Sequence, residues 1–212
     1  MLNTSKLLRL YHQLFEAYGP QYWWPAESPF EVVVGAVLTQ NTAWSNVERA
    51  IANLKAANLI HLSVMHDQKL EVIAELIYPS GYYNVKAKRL KNVCAWLVDH
   101  GGLENFEKLP TSEIRHELLD VNGVGPETAD DILLYALGRP VFVIDNYTRR
   151  LMRRLAWIDP NLGYETMRSA FESRLAPEPA IYNEYHALIV RHAKQKCTVK
   201  PDCLHCQVEY QL

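Results

Sequence analysis

Apolar residues recur along most of this chain at spacings of three and four, the period of a helix with one buried face. Leu7, Leu8, Leu10, Tyr11, Leu14 and Phe15 make the first such face, and Gly19-Pro20 ends it. A second helix is signalled by Ser28 at an N-cap, Pro29 at the first helical position and Glu31 where a capping box wants a carboxylate. The run FEVVVGAVL that follows carries the valines of a buried strand, but its capping signal makes it a helix. The same period predicts helices over 43–56, 67–77, 84–100, 111–120, 126–137, 146–155, 164–175 and 179–195. Gly101-Gly102 and Gly138 stand where helices are capped at their C-termini. Only VFVID (141–145) reads as extended, and one short segment makes no sheet. The expected class is all-α with short connections and no repeat of fixed period.

One interruption stands out within this helical text. In VNGVGPETADDILLYALG (121–138), two glycines flank one apolar residue and a proline follows. Glycine permits backbone angles that side chains forbid and lets another molecule approach closely. Proline fits the first turn of a new helix. The amides after it point forward without helical partners, into partial positive charge, and such a corner suits a phosphate.

Composition narrows the reading. At 212 residues, 49% of them hydrophobic, the chain can bury a core of one or two units. No apolar run approaches membrane-spanning length, and MLNTSKLLRLYHQLF has no signal-peptide cleavage pattern, so an intracellular, cytoplasmic protein is expected. A net charge of −2 excludes a general basic coat for nucleic acid. Cations nevertheless cluster in KAKRLK (86–91), RRLMRR (149–154) and RHAKQK (191–196), either as local phosphate patches or as solvated helix faces. Of four cysteines three crowd the C-terminus, which speaks for a metal or cluster site over a disulfide framework.

LLDVNGVGPETADDIL, followed closely by VFVIDNYTRRL, resembles the helix-hairpin-helix and catalytic-aspartate segment of the endonuclease III superfamily of DNA glycosylases. The resemblance extends upstream to AVLTQNTAWSNV (36–47) and SGYYNVKAKRL (80–90), and downstream to the terminal cysteines. YWWP (22–25) and the glutamate of GPET bring the chain nearest to the 3-methyladenine glycosylases of endonuclease III architecture. The family implies two helical lobes, here 22–137 and 1–21 plus 138–212, with damaged double-stranded DNA crossing a cleft between them. A monomer is expected.

The resemblance makes Asp145 the catalytic carboxylate, stabilising the sugar cation that forms as the glycosidic bond breaks and directing water to it. Taken alone, Asp145 would also serve as N-cap of the helix beginning at Asn146. Bifunctional members carry a lysine where this chain has Glu127, and a carboxylate cannot form their imine. No lyase activity is therefore expected. Trp23, Trp24 and Trp44, with Pro25 fixing the loop, become the pocket for the flipped base. Tryptophan faces attract a cationic base such as 3-methyladenine by roughly 1–2 kcal/mol when desolvated, though each ring could equally be core. Gln40 matches the position that fills the gap left by the extruded base, and Asn41 would touch the orphaned strand. Gly123, Val124, Gly125 and Thr128 would grip a backbone phosphate, and Lys86 would add charge near the DNA.

Cys197, Cys203 and Cys206, spaced C-x5-C-x2-C, resemble three of the four ligands of the family's [4Fe–4S] loop. The fourth would fall near position 212, which is Leu. A ligand beyond that position, one from elsewhere, or a loop without its cluster all remain open; Cys94 looks like core, and His205 would suit zinc.

The function expected from all this is a monofunctional base-excision-repair DNA glycosylase acting on alkylated, 3-methyladenine-type purines. The alternatives are a glycosylase for mismatched uracil or thymine or for oxidised pyrimidines, and a helix-hairpin-helix module that binds DNA without catalysis.

Overall fold

The computed structural model describes residues 2–159, 161–201, 206 and 208. It is all-α: no strand occurs among the described residues, and no helix is long and apolar enough to cross a membrane. Two units emerge, Ala26–Arg139 and Met1–Pro25 with Pro140–Leu212. Residues 22–25, expected in the contiguous lobe, group with the chain ends.

The contiguous unit is built around α2 (Pro29–Leu38), in which every residue from Phe30 to Leu38 is buried. A helix apolar on all sides belongs at the centre of its unit, and α3 (Trp44–Ala56) and α6 (Tyr83–Asp99) pack against it. Ser28 caps α2 as its sequence predicts, its hydroxyl accepting from the Glu31 amide at 3.2 Å. Glu31 itself is buried and pairs with Lys55 of α3 at 2.9 Å.

The helix predicted at 67–77 is α5 (Leu70–Leu76), which starts late because Gln68 and Lys69 are extended, and α4 (Leu62–Asp67) before it is not among the predicted helices. A short 3-10 helix at Leu103–Lys108 follows the Gly101-Gly102 turn. α7 (Thr111–Asp120) and α8 (Pro126–Asp131) flank the glycine hairpin. Beyond Asp131 the helix widens into a π-turn over Ile132–Ala136, against which α2 packs.

The other unit brings α1 (Thr4–Tyr18) onto α11 (Pro179–Gln195), and α11 onto α9 (Asn146–Arg154). Leu7, Leu10 and Leu14 are fully buried, and the Tyr185 hydroxyl donates to the Leu7 carbonyl at 2.8 Å. Phe142 stacks on Phe171 of α10 (Tyr164–Glu172) at 4.3 Å between centroids and meets Tyr185 edge-on. Aromatic pairs at such angles add to what their buried area contributes.

Candidate functional site

The extended stretch 141–145 lies beside α10 rather than in a sheet. Its amides find side chains instead of a neighbouring strand: Phe142 donates to Glu172 at 2.9 Å and Ile144 to the Tyr164 hydroxyl at 3.3 Å. With Val141, Phe142, Val143 and Ile144 all buried, the segment delivers Asp145 rigidly to the start of α9.

There Asp145 is the N-cap, its Oδ1 accepting from the Thr148 amide at 2.7 Å. Its other oxygen faces His186 of α11, with Nε2 to Oδ2 at 3.5 Å. Asp145 is 8% and His186 6% exposed. Burial alone would push the carboxyl up. The charge and hydrogen bond of His186, with the Thr148 hydrogen bonds, overcome that and hold it below its usual 3.8. An ionised, almost dry carboxylate at a helix N-terminus can stabilise a neighbouring cation or orient water.

Trp23 and Trp24 of the same unit are half-buried, their rings 5.0 Å apart at 46° across a cis peptide, and Pro25 after them is exposed. The rings are neither wholly core nor wholly surface. Trp44, the third expected pocket residue, opens α3 in the contiguous unit, half-buried.

The contiguous unit gathers the hairpin residues. Gly123 has φ +98°, and a Cβ there would sit 2.2 Å from the Cγ of Arg89. Its lack of a side chain is thus needed for both angle and space. Gly125, at φ −99°, has nothing within 4 Å of where a Cβ would stand, so its surroundings are open. Val124 is buried, with its amide bonded back to the Val121 carbonyl at 3.0 Å. Glu127 is exposed in the first turn of α8, and Thr128 is buried. Arg115 grips the fully buried Asp130 through two nitrogens, at 2.7 and 3.2 Å, fixing α7 against α8.

Gln40 is tied into this hairpin. Its Nε2 donates to the Gly123 carbonyl at 3.1 Å and to the Thr128 hydroxyl at 2.9 Å, while its Oε1 accepts from Arg89. Asn41, next in the turn, is exposed at φ +53°.

Lys86 corrects the sequence expectation. Its side chain is buried, 1% exposed, and its ammonium donates to the carbonyls of Leu38 at 2.8 Å and Ser80 at 2.7 Å. Those contacts satisfy the end of α2, not a phosphate. The period explains it, since Lys86 shares the inward face of α6 with Ala87, Leu90 and Val93. Burial first, and the Arg89 cation second, pull its ammonium down to about 8.

Arg89 and His186 are the residues that sequence reasoning missed. Each meets a partner far along the chain; Arg89 is read there only as one cation of KAKRLK (86–91), and His186 stands in no quoted motif.

Of the terminal cysteines, Cys203 and the nearby His205 lie outside the described residues. Cys197 Sγ accepts from Arg154 at 3.1 Å, and Cys206 Sγ lies 3.7 Å from Nε2 of His192. Burial, with Lys196 second, pushes that imidazole down to about 4, and its Nδ1 meets the Tyr18 hydroxyl at 3.0 Å. Among the described residues no three His, Cys, Asp or Glu side chains are grouped for a metal.

Comparison with known proteins adds four findings. The model of the HhH-GPD superfamily of base excision DNA repair proteins matches residues 34–177. A provisionally named DNA repair glycosylase of Methanocaldococcus jannaschii is 48% identical over 206 residues, 96% of this chain and 94% of that one. Among solved structures, the H. pylori 3-methyladenine DNA glycosylase bound to 1,N6-ethenoadenine superposes with TM-score 0.79 at 32% identity, covering 92% of this chain and 98% of that one. An endonuclease III–DNA complex, at TM-score 0.82 and 20% identity over 97% of this chain and 93% of that one, shares the fold.

Proposed function

The chain belongs to the HhH-GPD superfamily of base excision DNA repair proteins, and on that premise we propose that it hydrolyses the N-glycosidic bond of alkylated, 3-methyladenine-type purines in duplex DNA. The observation that carries the proposal is Asp145, a carboxylate held ionised in an almost water-free niche by His186 and the Thr148 amide. As the bond between base and sugar lengthens, positive charge grows on the sugar, and a fixed anion beside it lowers the barrier. Water, oriented by the same carboxylate, completes the hydrolysis.

The preference for alkylated purines draws support from the tilted pair Trp23 and Trp24 and from the H. pylori relative. A flipped base needs flat faces to replace its stack, and a cationic one gains from the tryptophan π-cloud. Such a base is also a good leaving group, so the reaction asks for little general-acid help. Trp44 would offer a further flat face to a base, and Gln40 and Asn41 would meet the disrupted duplex. The backbone at Gly123, Gly125 and Thr128 would hold a phosphate, while Val124, whose amide already bonds the Val121 carbonyl, would not donate to it.

Glu127 makes the enzyme monofunctional in this reading. A carboxylate forms no imine with the opened sugar, and strand cleavage through a Schiff base is then closed.

A [4Fe–4S] cluster would take Cys197, Cys203 and Cys206. Three thiolates meet three of the four places such a cluster offers. Cys197 and Cys206 lie against Arg154 and His192, which could serve sulfur by charge and hydrogen bonding. The fit is incomplete, and the hydrolysis rests on Asp145 and water.

The test is release of free base from duplexes carrying single lesions, with and without alkali, for wild type and Asp145→Asn. Release of 3-methyladenine by wild type alone, with strand breaks only after alkali, supports the reading. A borohydride-trapped protein–DNA adduct with wild type would overturn the monofunctional assignment. Base release confined to oxidised pyrimidines or mismatched uracil would overturn the substrate.

A further inference from the structure

α9 carries four arginines, and they divide by task. Arg150 donates to the carbonyls of Cys197 at 2.7 Å and Ala193 at 2.8 Å, and Arg154 to Cys197 Sγ at 3.1 Å and the Val199 carbonyl at 3.3 Å. These two fasten the helix to the last turn of α11 and the chain that follows it. The other two, Arg149 and Arg153, stand one turn apart on a different side. They line a cavity of about 260 Å³ together with Arg150, Asn146 and the apolar Ile158 and Met167. Arg149 gives one nitrogen to the Leu162 carbonyl at 3.1 Å, and Arg153 is exposed.

Arg149 and Arg153 line this space, with Arg150 beside them already held by the Cys197 and Ala193 carbonyls, against one carboxylate among its described lining, Asp159, whose Oδ1 already accepts from the Asn161 amide at 2.8 Å. Like charges one turn apart on a helix repel unless an anion sits between them. Guanidinium forks match the oxygens of a phosphate, and apolar walls strengthen the attraction by lowering the local dielectric.

We propose that the cavity lined by Arg149, Arg150 and Arg153 holds a backbone phosphate of bound DNA. The inference rests on the reading of the chain as a DNA glycosylase and adds a contact outside the hairpin. The cavity begins at Asn146, the residue after Asp145, and α9 is only about 13 Å long. A duplex carries one phosphate charge per roughly 1.7 Å of axis, so DNA whose sugar meets Asp145 brings phosphates within this span.

The experiment is binding of a duplex with a stable abasic-site analogue across a range of sodium chloride, for wild type, Arg153→Gln and Arg153→Glu. Arg153 is exposed, so both variants keep the fold, which circular dichroism checks. The expected result is a salt slope shallower by about 1 for Arg153→Gln, with weaker binding still for Arg153→Glu. Slopes that overlay wild type overturn the proposal. They do so even if inorganic phosphate raises the Tm of wild type and not of Arg153→Glu, since the cavity then takes a free anion instead of DNA. Wild type that binds no duplex fails earlier, and takes the glycosylase reading with it.

Discussion

His186 and Asp145 face each other at 3.5 Å, from α11 and α9, with almost no water around either. The pairing has a signed consequence for pH. In the proposed reaction Asp145 acts as the carboxylate, and its folded value lies below 3.8, so activity is expected to fall away only as pH drops through that low value. In His186→Gln the desolvation remains and the attraction goes, which moves the acid limb of single-turnover base release to higher pH. A merely structural histidine would lower the rate uniformly and leave the limb where it was. The same carboxylate contributes stability that is present above 3.8 and is lost as pH drops through its folded value.

Asp145→Asn separates the cap from the proposed catalytic role. Asparagine caps a helix nearly as well as aspartate, so thermal stability changes by about 1 kcal/mol or less from that cause. Base release falls by about 10²-fold or more, the usual cost of removing a preorganised electrostatic group. A melting curve beside a single-turnover assay checks both halves.

The hairpin glycines respond differently to a methyl group. Gly123→Ala forces a Cβ against the Arg89 stem at φ +98° and destabilises the fold by about 1–3 kcal/mol. Gly125→Ala meets open space at φ −99°, keeps its stability, and weakens DNA binding where the backbone must come close. Urea unfolding and duplex titration of the two variants distinguish the roles.

Lys86→Met leaves the Leu38 and Ser80 carbonyls without their donor and costs about 1–3 kcal/mol at neutral pH. The salt slope of DNA binding stays as in wild type, because the ammonium does not reach solvent. The lysine titrates near 8 when folded against 10.5 otherwise, so between those values the unfolded chain holds more protons and stability rises with pH. That rise is absent from the variant.

Most of the helical framework was legible in the sequence, and the reasons are local. Asn3, Ser28 and Asp145 cap α1, α2 and α9 from within three residues, and such bonds leave a mark in the text. Pro29, Pro126 and Pro179 each open a helix for the same kind of reason. The start of α5 and the separate α4 before it are hidden because Gln68 and Lys69 carry no breaker signal. The π-turn at Ile132–Ala136 looks like any apolar helix in one dimension.

The site was legible where it follows a motif and hidden where it depends on long reach. Asp145 announced itself by its place after an apolar run, but His186 lies a further helix pair away. Lys86 read as surface charge among KAKRLK, yet the helical period turns it inward beside Leu90. The Arg89 bond to Gln40 joins residues 49 positions apart, and no local pattern encodes it.

The unit holding Asp145 is made from both ends of the chain, which gives it a schedule during synthesis. Residues 26–139 leave the ribosome as one block and can close early. The apolar side of α1, with Leu7, Leu10 and Leu14, must wait for Tyr185 and its helix. At ordinary translation rates that delay is on the order of ten seconds. Until then the apolar side of α1 has no α11 to cover it. The carboxylate niche needs segments from both stretches, so it is expected to close after the hairpin, and a defect in α11 is expected to lower the yield of folded protein.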